Sequence, residues 1–336
     1  MNTNVSIVVE RDNALEIACD VLVLKHAQAL YGVDAAVVSS LEAARLSVEP
    51  ALPKPGMFCL IPTGGALAAK AVLFVGVPPL SQFDYAAIRE FGSRALTSLS
   101  GAPATKHIAL TVHGPNYGLD ESESFRAELA GLLDALERGD YPEGLQRITV
   151  VERDPGRAER LKAVLDSALS AGAYAGARAR GSEAAALSDA RRSLADVGEG
   201  SRQKPRIFAA MPFAKEFDDR FHYGIQRAAE ACGFLCERAD LTPFLGDVLT
   251  WVRDRIGSAS FVVADLTTAN PNVYLEVGYA WGRSVATVLL VSEATELKFD
   301  ARSQRCLVYE GSIRKLEELL TAELKALAAR SSQTSG

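Results

Sequence analysis

Two carboxylates on either side of a predicted strand-to-helix turn, Asp265 and Glu276, are the residues best placed to do chemistry. Asp265 ends the apolar run 261–264, which is typical of a buried strand. Asn270 and Pro271 predict the start of a helix, because asparagine caps helix N-termini and proline suits the first turn. Glu276 would then lie in the second turn, with its side chain leaning back toward the helix N-terminus.

A carboxylate in this position could act on a glycosidic bond. Beside an anomeric carbon, it can stabilise an oxocarbenium-like transition state or attack to form a covalent intermediate. The positive end of the helix is expected to keep Glu276 ionised, as a nucleophile must be. The alternative is structural: Glu276 caps a backbone group or pairs with Arg283 on the solvent side.

The elements that must position these carboxylates form a regular β/α alternation after Pro205. Parallel strands need crossover connections, so the alternation predicts a flavodoxin-like, doubly wound parallel sheet with its ligand cleft outside the carboxyl ends of the strands. The predicted strands are Arg206 to Ala210, Phe234 to Glu237, Phe261 to Ala264, Ala286 to Val291 and Cys306 to Tyr309. Candidate substrate contacts near these ends are Phe213, Asp240, Asp247, Asn270 and Asn272. For the two aspartates an ordinary turn or cap role is equally open, and Phe213 could simply pack.

Two motifs invite comparison with known families: Arg-Ile-Phe-Ala-Ala-Met-Pro-Phe at 206–213, and Asp-Leu-Thr-Thr-Ala-Asn-Pro-Asn-Val-Tyr-Leu-Glu-Val-Gly-Tyr-Ala at 265–280. They resemble the nucleoside 2-deoxyribosyltransferase-like superfamily, in its TIR-like branch found in bacterial immune and NAD-cleaving proteins. The resemblance implies that Glu276 is the nucleophile and that Asp265 holds sugar hydroxyls. Asn270-Pro271-Asn272 differs from the loop of true deoxyribosyltransferases, which favours another nucleotide, such as NAD, as substrate.

The N-terminal half carries a second, weaker pattern in residues 20–24, 31–37 and 107–118. These segments resemble a divergent macro domain, or the related N-terminal domain of leucyl aminopeptidases. The resemblance implies a ligand-sensing site, because glycines let backbone N–H groups approach a diphosphate closely. Its residues would be Gly32, Asp34, Gly114 and Gly118. The alternative for the glycines is that they serve plain turns.

Length and composition predict two α/β domains. The chain has 336 residues, against a prior of about 100–200 per domain. Residues 170–204 are rich in Ala, Ser, Gly, Arg and Glu and contain almost no large apolar side chains, so we predict a linker with one surface helix from about Ser182 to Ala195. The expected division is a macro-like domain at 1–169, the linker at 170–204 and the TIR-like domain at 205–330.

Charge and cysteine usage exclude several classes of protein. The net charge is −6, which argues against a nucleic-acid partner because phosphate-backbone binding needs a basic surface. No apolar run is long enough to span a membrane. The five cysteines are scattered and form no C-x-x-C pair, so we expect a reducing cytoplasm and no bound metal.

Together these observations favour an N-glycosidase that acts on NAD or a related nucleotide and has no cofactor of its own. The resemblance implies a bacterial immune effector controlled by nucleotide sensing in the macro-like domain, and it allows assembly as a homo-oligomer. The alternative is a non-catalytic protein that binds a nucleotide or ADP-ribose. A deoxyribosyltransferase of nucleotide salvage is a third, weaker hypothesis.

Overall fold

The structure is a computed structural model that describes residues 4–115, 118–169, 174–175, 182–239, 248–294 and 306–334. The chain forms two compact units. Among the described residues, the first unit contains 4–115 and those from 121 to 202, and the second contains 118–120 and those from 203 onward. Each unit is built around its own β-sheet.

In its described part, the first unit has a seven-stranded mixed sheet with the order β3-β4-β2-β5-β6-β1-β7. The inner neighbours are parallel, whereas β3 runs antiparallel to β4 and β7 antiparallel to β1. The strands are β1 (Asn4–Arg11), β2 (Val21–His26), β3 (Phe58–Pro62), β4 (Ala71–Gly76), β5 (His107–Leu110), β6 (Arg147–Glu152) and β7 (Tyr174–Ala175).

Helices flank this sheet, and two of them approach each other closely. They are α1 (Gly32–Ala43), α2 (Tyr85–Thr97), α3 (Glu121–Arg138), α4 (Pro155–Ala168) and α5 (Ser182–Ser193). A Cβ at Gly92 of α2 would lie 2.3 Å from the Glu128 carbonyl oxygen of α3. A Cβ at Gly131 of α3 would lie 1.9 Å from the Arg89 carbonyl oxygen. The α2–α3 contact therefore requires glycine on both helices.

The region predicted as a linker contributes to the first unit. Leu194 and Val197 are buried, and Arg89 donates hydrogen bonds of 2.7 Å to the carbonyl oxygens of Ala195 and Val197. The Ser201 hydroxyl is fully buried and donates to Glu123 at 2.7 Å. Two well-placed apolar side chains and a few polar contacts are enough to dock residues 190–201, although their composition is poor in large apolar residues.

The second unit has a five-stranded sheet of order β12-β11-β10-β8-β9, in which every described pair is parallel. Its strands are β8 (Arg206–Ala210), β9 (Leu235–Arg238), β10 (Phe261–Asp265), β11 (Thr287–Val291) and β12 (Cys306–Val308). A π-helical turn (Arg220–Gln226) continues into α6 (Arg227–Glu230), and the other helices are α7 (Val248–Ser258), α8 (Pro271–Gly282) and α9 (Ile313–Thr334). The predicted flavodoxin-like α/β class is thus confirmed.

Two apolar clusters cover the two faces of this sheet. On one face, Phe217, Phe221 and Leu320 pack under the π-helical turn, α6 and α9. On the other face, Val252 of α7 and Val277 of α8 pack over β8 and β10. The chain leaves β8 toward the first face and leaves β10 toward the second, although these strands are neighbours. Doubly wound sheets bind ligands in the crevice outside the carboxyl ends of two strands whose connections diverge in this way.

Candidate functional site

The turn between β10 and α8 has the conformation of a strained loop. Thr268 and Ala269 have φ angles of +65° and +50°, in the left-handed region that residues with a Cβ rarely adopt. Asn270 then caps α8 by accepting a hydrogen bond from the Asn272 N–H at 2.9 Å, and Pro271 occupies the first helical position. The predicted cap is therefore present, and local strain of this kind is concentrated at functional sites.

Asp265 lies beneath this turn and has no exposed surface. One carboxylate oxygen accepts the Thr267 N–H at 3.0 Å, and the other accepts the Tyr309 hydroxyl at 3.0 Å. The Thr267 hydroxyl lies 3.0 Å from the Tyr309 hydroxyl and accepts the Ser292 N–H at 2.9 Å. These bonds join the ends of β10, β11 and β12. Burial raises the pKa of Asp265 despite them.

Glu276 has a half-buried side chain in the second turn of α8, as predicted. Among the described residues, its carboxyl forms no hydrogen bond or ion pair, and the alternative pairing with Arg283 is not observed there. Burial raises the pKa of Glu276 to about 7. Burial thus opposes the ionisation that is expected from the helix dipole, because desolvation disfavours the charged form. Near neutral pH both forms are present, which suits a group that responds to a nearby cation.

Two guanidinium groups lie at the same end of the sheet. Arg238, the last residue of β9, is buried and pairs with Asp218 at 3.1 Å, and its guanidinium carbon lies 5.8 Å from the centre of the Phe213 ring. Arg220 begins the π-helical turn and lies 4.7 Å from the Phe217 ring and 5.9 Å from the Tyr309 ring. Its Nη1 is buried without a hydrogen-bond partner.

Sequence reasoning missed both arginines. Arg238 could have been found as the residue that follows the predicted strand Phe234 to Glu237, two positions before the selected Asp240. Arg220 gave no such signal, because it lies in the π-helical turn between β8 and β9 rather than beside a strand end. π-Turns frequently occur at functional sites.

The other predicted residues of this unit divide into two groups. Phe213 is half-buried beside Arg238, and Asn272 is exposed on the first turn of α8. Asp240 and Asp247 lie outside the described residues. The structure thus brings Phe213, Asp265, Asn270 and Glu276 to the carboxyl ends of the adjacent strands β8 and β10.

In the first unit, a buried ion pair lies at the carboxyl end of β2. Lys25 Nζ lies 2.5 Å from Asp34 Oδ2, and both side chains are almost completely buried. Asp34 Oδ1 has no hydrogen-bond partner, and burial raises the pKa of this carboxyl although Lys25 opposes the shift. Gly32 begins α1 with φ +49°. The predicted residues Gly32 and Asp34 therefore share one helix N-terminus.

The glycines that follow β5 have left-handed backbones. Gly114 has φ +110° and Gly118 has φ +80°. A Cβ at Gly118 would lie 2.0 Å from the Trp251 ring, so close packing within the second unit also requires glycine there. Because β5 is the parallel neighbour of β2, the segment after β5 and the N-terminus of α1 emerge at the same edge of the sheet.

Two further titratable groups lie buried near this edge. His113 packs edge-on against Phe91 with ring centres 4.8 Å apart, and burial lowers the pKa of His113 well below its usual value. Burial raises the pKa of Glu128, on α3, to about 8. His113 Nε2, Thr111 Oγ1 and Ser124 Oγ are buried without hydrogen-bond partners. The edge is thus lined by neutral polar groups around one ion pair.

Neither a metal-ligand cluster nor a membrane-spanning helix occurs in the described ranges. There, no group of three or more His, Cys, Asp or Glu side chains is arranged to hold a metal ion. In the same part of the chain, no helix combines the length and the apolar character needed to cross a bilayer.

Known proteins match this chain in structure but not in sequence. No family profile matches the sequence, and no curated protein sequence matches it. The N-terminal half is similar in structure to macrodomains. The G37V mutant of the Oceanobacillus iheyensis macrodomain, solved with ADPR, is 16% identical with a TM-score of 0.38, covering 49% of this chain and 92% of that one. The Trypanosoma brucei macrodomain, solved in complex with ADP, is 15% identical with a TM-score of 0.37, covering 48% and 69%.

A third solved structure aligns with most of the chain. The bottromycin maturation enzyme BotP, solved with Mn, is 13% identical with a TM-score of 0.30, covering 91% of this chain and 90% of that one. At these identities and TM-scores, none of the three assigns an activity. The chain is therefore classified by its fold, as a protein of two α/β units that each carry a candidate site at the carboxyl ends of their strands.

Proposed function

We propose that the second unit binds a phosphate-bearing nucleotide in the crevice between β8 and β10 and cleaves its N-glycosidic bond. The observation that carries this proposal is the half-buried carboxyl of Glu276, which has no partner among the described residues. A desolvated carboxylate without a counter-charge is unfavourable, and a cation beside it removes the penalty. A sugar carbon that becomes cationic as its bond to nitrogen breaks provides such a charge.

NAD satisfies this requirement better than a neutral nucleoside does. Its nicotinamide ring is positively charged in the ground state, and that charge passes to the sugar when nicotinamide leaves with the bonding electron pair. Water then adds to the sugar carbon and loses a proton, which gives ADP-ribose. Glu276 would stabilise the cation by ion pairing or by forming a transient bond to the carbon.

The arginines support a substrate with phosphates. Guanidinium groups bind phosphate oxygens with charge-assisted hydrogen bonds. Arg238 ends β9, the parallel neighbour of β8, and Arg220 begins the π-helical turn that follows β8. Phe213, beside Arg238, offers an aromatic face for a base. Asp265, fully buried, would act as a positioning residue that holds the strained turn rather than as a direct sugar contact.

The direct test measures nicotinamide release from NAD by the full chain. We expect Glu276→Gln to lower kcat by about 10²-fold or more, while Glu318→Gln, an exposed change on α9, leaves it unchanged. Because Glu276 must be ionised, kcat/KM should rise roughly tenfold per pH unit below about pH 7 and level off above it. A purely structural glutamate would not produce this profile.

A binding measurement separates catalysis from recognition. If NAD binds to both wild type and Glu276→Gln but neither releases nicotinamide, the second unit is a non-catalytic nucleotide-binding domain. If base exchange between two deoxynucleosides is observed instead, it is a deoxyribosyltransferase. If wild type neither binds nor cleaves NAD, the proposal for this substrate is overturned.

For the first unit we propose binding of an ADP-ribose-like ligand that controls the enzymatic unit, as in an immune effector. Buried polar atoms without partners, Asp34 Oδ1 and His113 Nε2, support a polar ligand at the carboxyl ends of β2 and β5. Gly32 and Gly114 leave the backbone N–H groups there open to phosphate. If this is correct, ADP-ribose or cyclic ADP-ribose changes the NAD cleavage rate of wild type, and Gly114→Val, strained at φ +110°, abolishes that response.

A further inference from the structure

The strand β3 forms one edge of the first sheet and is unusually apolar on its outer face. Met57, Phe58 and Leu60 are 62%, 48% and 44% exposed, although each is a large hydrophobic residue. The side chains alternate, because Cys59 and Ile61 pack against the core while Phe58, Leu60 and Pro62 face outward. Exposed apolar patches of this kind usually mark interaction surfaces.

The backbone of β3 is also open to a partner. The Met57 carbonyl accepts the Gly76 N–H at 2.9 Å, and the Thr63 N–H donates to Lys70 at 3.0 Å. In an antiparallel pair, every second residue directs both backbone groups to its neighbour. Residues 57, 59, 61 and 63 therefore bond to β4 and its flanks, and the backbone groups of Phe58 and Leu60 point away from the sheet.

This edge lacks two of the features that protect edge strands, which are charge and short length, and its one proline, Pro62, is the last residue of the strand. No charged residue occurs from Pro55 to Ala69. The other sheet ends in the described structure differ: β7 has two residues, β12 has three, and β9 carries Glu237 and Arg238. Among these edges β3 is thus the longest, and it is uncharged.

We propose that β3 pairs antiparallel with β3 of a second copy of the chain about a two-fold axis at Leu60. In this register each Leu60 N–H donates to the Leu60 carbonyl of the other copy, and each Phe58 N–H donates to the Pro62 carbonyl. Pro62 lacks an N–H, so it tolerates a position where it only accepts. Phe58, Leu60 and Pro62 of both copies then lie on one face of a continuous sheet.

Charge favours a second copy over a charged peptide as the occupant. In the same register Lys54, the nearest charged residue before the strand, faces Ala66 of the other copy, so no like charges meet. A two-fold axis also makes the contact self-limiting, because each copy uses the one long uncharged edge found among its described strands. Pairing of one short strand buries less surface than a permanent dimer does, so we expect an equilibrium at micromolar concentrations.

Sedimentation velocity tests the proposal on the full chain, from about 1 to 200 μM. Wild type should shift from one to two copies of the 35.9 kDa chain as concentration rises. Leu60→Lys and Leu60→Glu should each remain monomeric, because like charges directly opposite each other destabilise a strand pair. An equimolar mixture of the two variants should restore the dimer, since lysine then faces glutamate.

Leu249→Lys is the matched control, because Leu249 is 58% exposed but lies on α7. It should dimerise like wild type, and far-UV circular dichroism should show that all variants are folded. The proposal is overturned if wild type stays monomeric at every concentration, or if Leu60→Lys dimerises as well as Leu249→Lys. Failure of the mixed variants to recover would exclude the Leu60 register. None of these outcomes depends on nucleotide cleavage.

Discussion

The carboxyl edges of the two sheets differ in whether the carboxyl group there has a charged partner. In the first unit, Lys25 and Asp34 neutralise each other within 2.5 Å, away from water. In the second, Glu276 is half-buried and has no partner in the described part of the chain. An internal ion pair stabilises the edge that contains it, whereas an unpaired carboxyl needs a cation from outside.

Two glutamates with raised pKa values, one in each unit, extend this comparison. Burial raises the pKa of Glu128 to about 8 in the first unit and that of Glu276 to about 7 in the second. Glu128 has no exposed surface, so a ligand cannot reach it without rearrangement, whereas Glu276 is partly accessible. A shifted pKa therefore reports burial in both units, and exposure distinguishes the candidate catalytic group from the buried one.

The largest effect is expected where the buried pair is broken. Lys25→Met leaves Asp34 buried without its counter-charge and should lower the free energy of unfolding of the first unit by about 3–5 kcal/mol. Lys70→Met breaks the exposed pair with Asp20, 79% exposed at the lysine, and should lower the free energy of unfolding far less, because solvent screens an exposed pair.

Denaturant unfolding can follow the units separately. Both tryptophans, Trp251 and Trp281, lie in the second unit, so their fluorescence reports on it, while far-UV circular dichroism reports on both. Lys25→Met should move the dichroism transition and leave fluorescence unchanged. Equal costs for Lys25→Met and Lys70→Met would show that the buried pair does not stabilise the first unit.

The pH dependence of stability should differ between the two glutamates. A raised carboxyl pKa means that the folded state keeps its proton when the unfolded state has lost it. The contribution of Glu128 to the free energy of unfolding is therefore present below about pH 4.5 and is lost as pH rises to about 8. The corresponding contribution of Glu276 is lost by about pH 7. The slope is at most about 1.4 kcal/mol per pH unit for each group, and smaller for the partly solvated Glu276.

Denaturant unfolding between pH 5 and 8 measures these slopes. Glu128→Gln should flatten the pH dependence of the first unit, and Glu276→Gln that of the second by a smaller amount. If Glu276→Gln flattened the pH dependence of stability more than Glu128→Gln did, Glu276 would be the more deeply desolvated group. That result would contradict its assignment as the accessible one.

The smallest expected effect concerns the cap of α8. Asn270→Ala removes the acceptor of the Asn272 N–H and should lower the free energy of unfolding of the second unit by about 1 kcal/mol. Asn272→Ala changes an exposed side chain and should stay within about 0.5 kcal/mol of wild type. Tryptophan fluorescence measures both. If the two substitutions cost the same, the cap does not stabilise the helix that carries Glu276.

Much of the fold was predictable because local sequence patterns determine several of its strands and helix ends. The strand Arg206–Ala210 matches its predicted bounds, since a short apolar run between turn residues has few alternatives. The start of α8 was also predictable, because Asn-Pro satisfies a helix N-terminus locally. The helix α1 gave no clear periodicity and was not predicted.

The candidate site was only partly predictable. The sequence identified Asp265 and Glu276 but not that the Tyr309 hydroxyl would donate to Asp265 and contact Thr267, because both contacts join residues more than 40 positions apart. It also did not place Arg220 near Tyr309. Long-range pairing of this kind depends on strand order, which local propensity does not encode.

The sequence by itself determined the α/β class, the two-unit organisation and the position of Glu276 in the second turn of its helix, because periodicity, capping and turn chemistry act over a few residues. The tertiary structure decided that Asp265 is buried in a hydrogen-bond network, that residues 190–201 dock on the first unit, and that burial raises the pKa of Glu276. Desolvation and strand neighbours depend on what the rest of the chain places around a residue, so only the folded molecule fixes them.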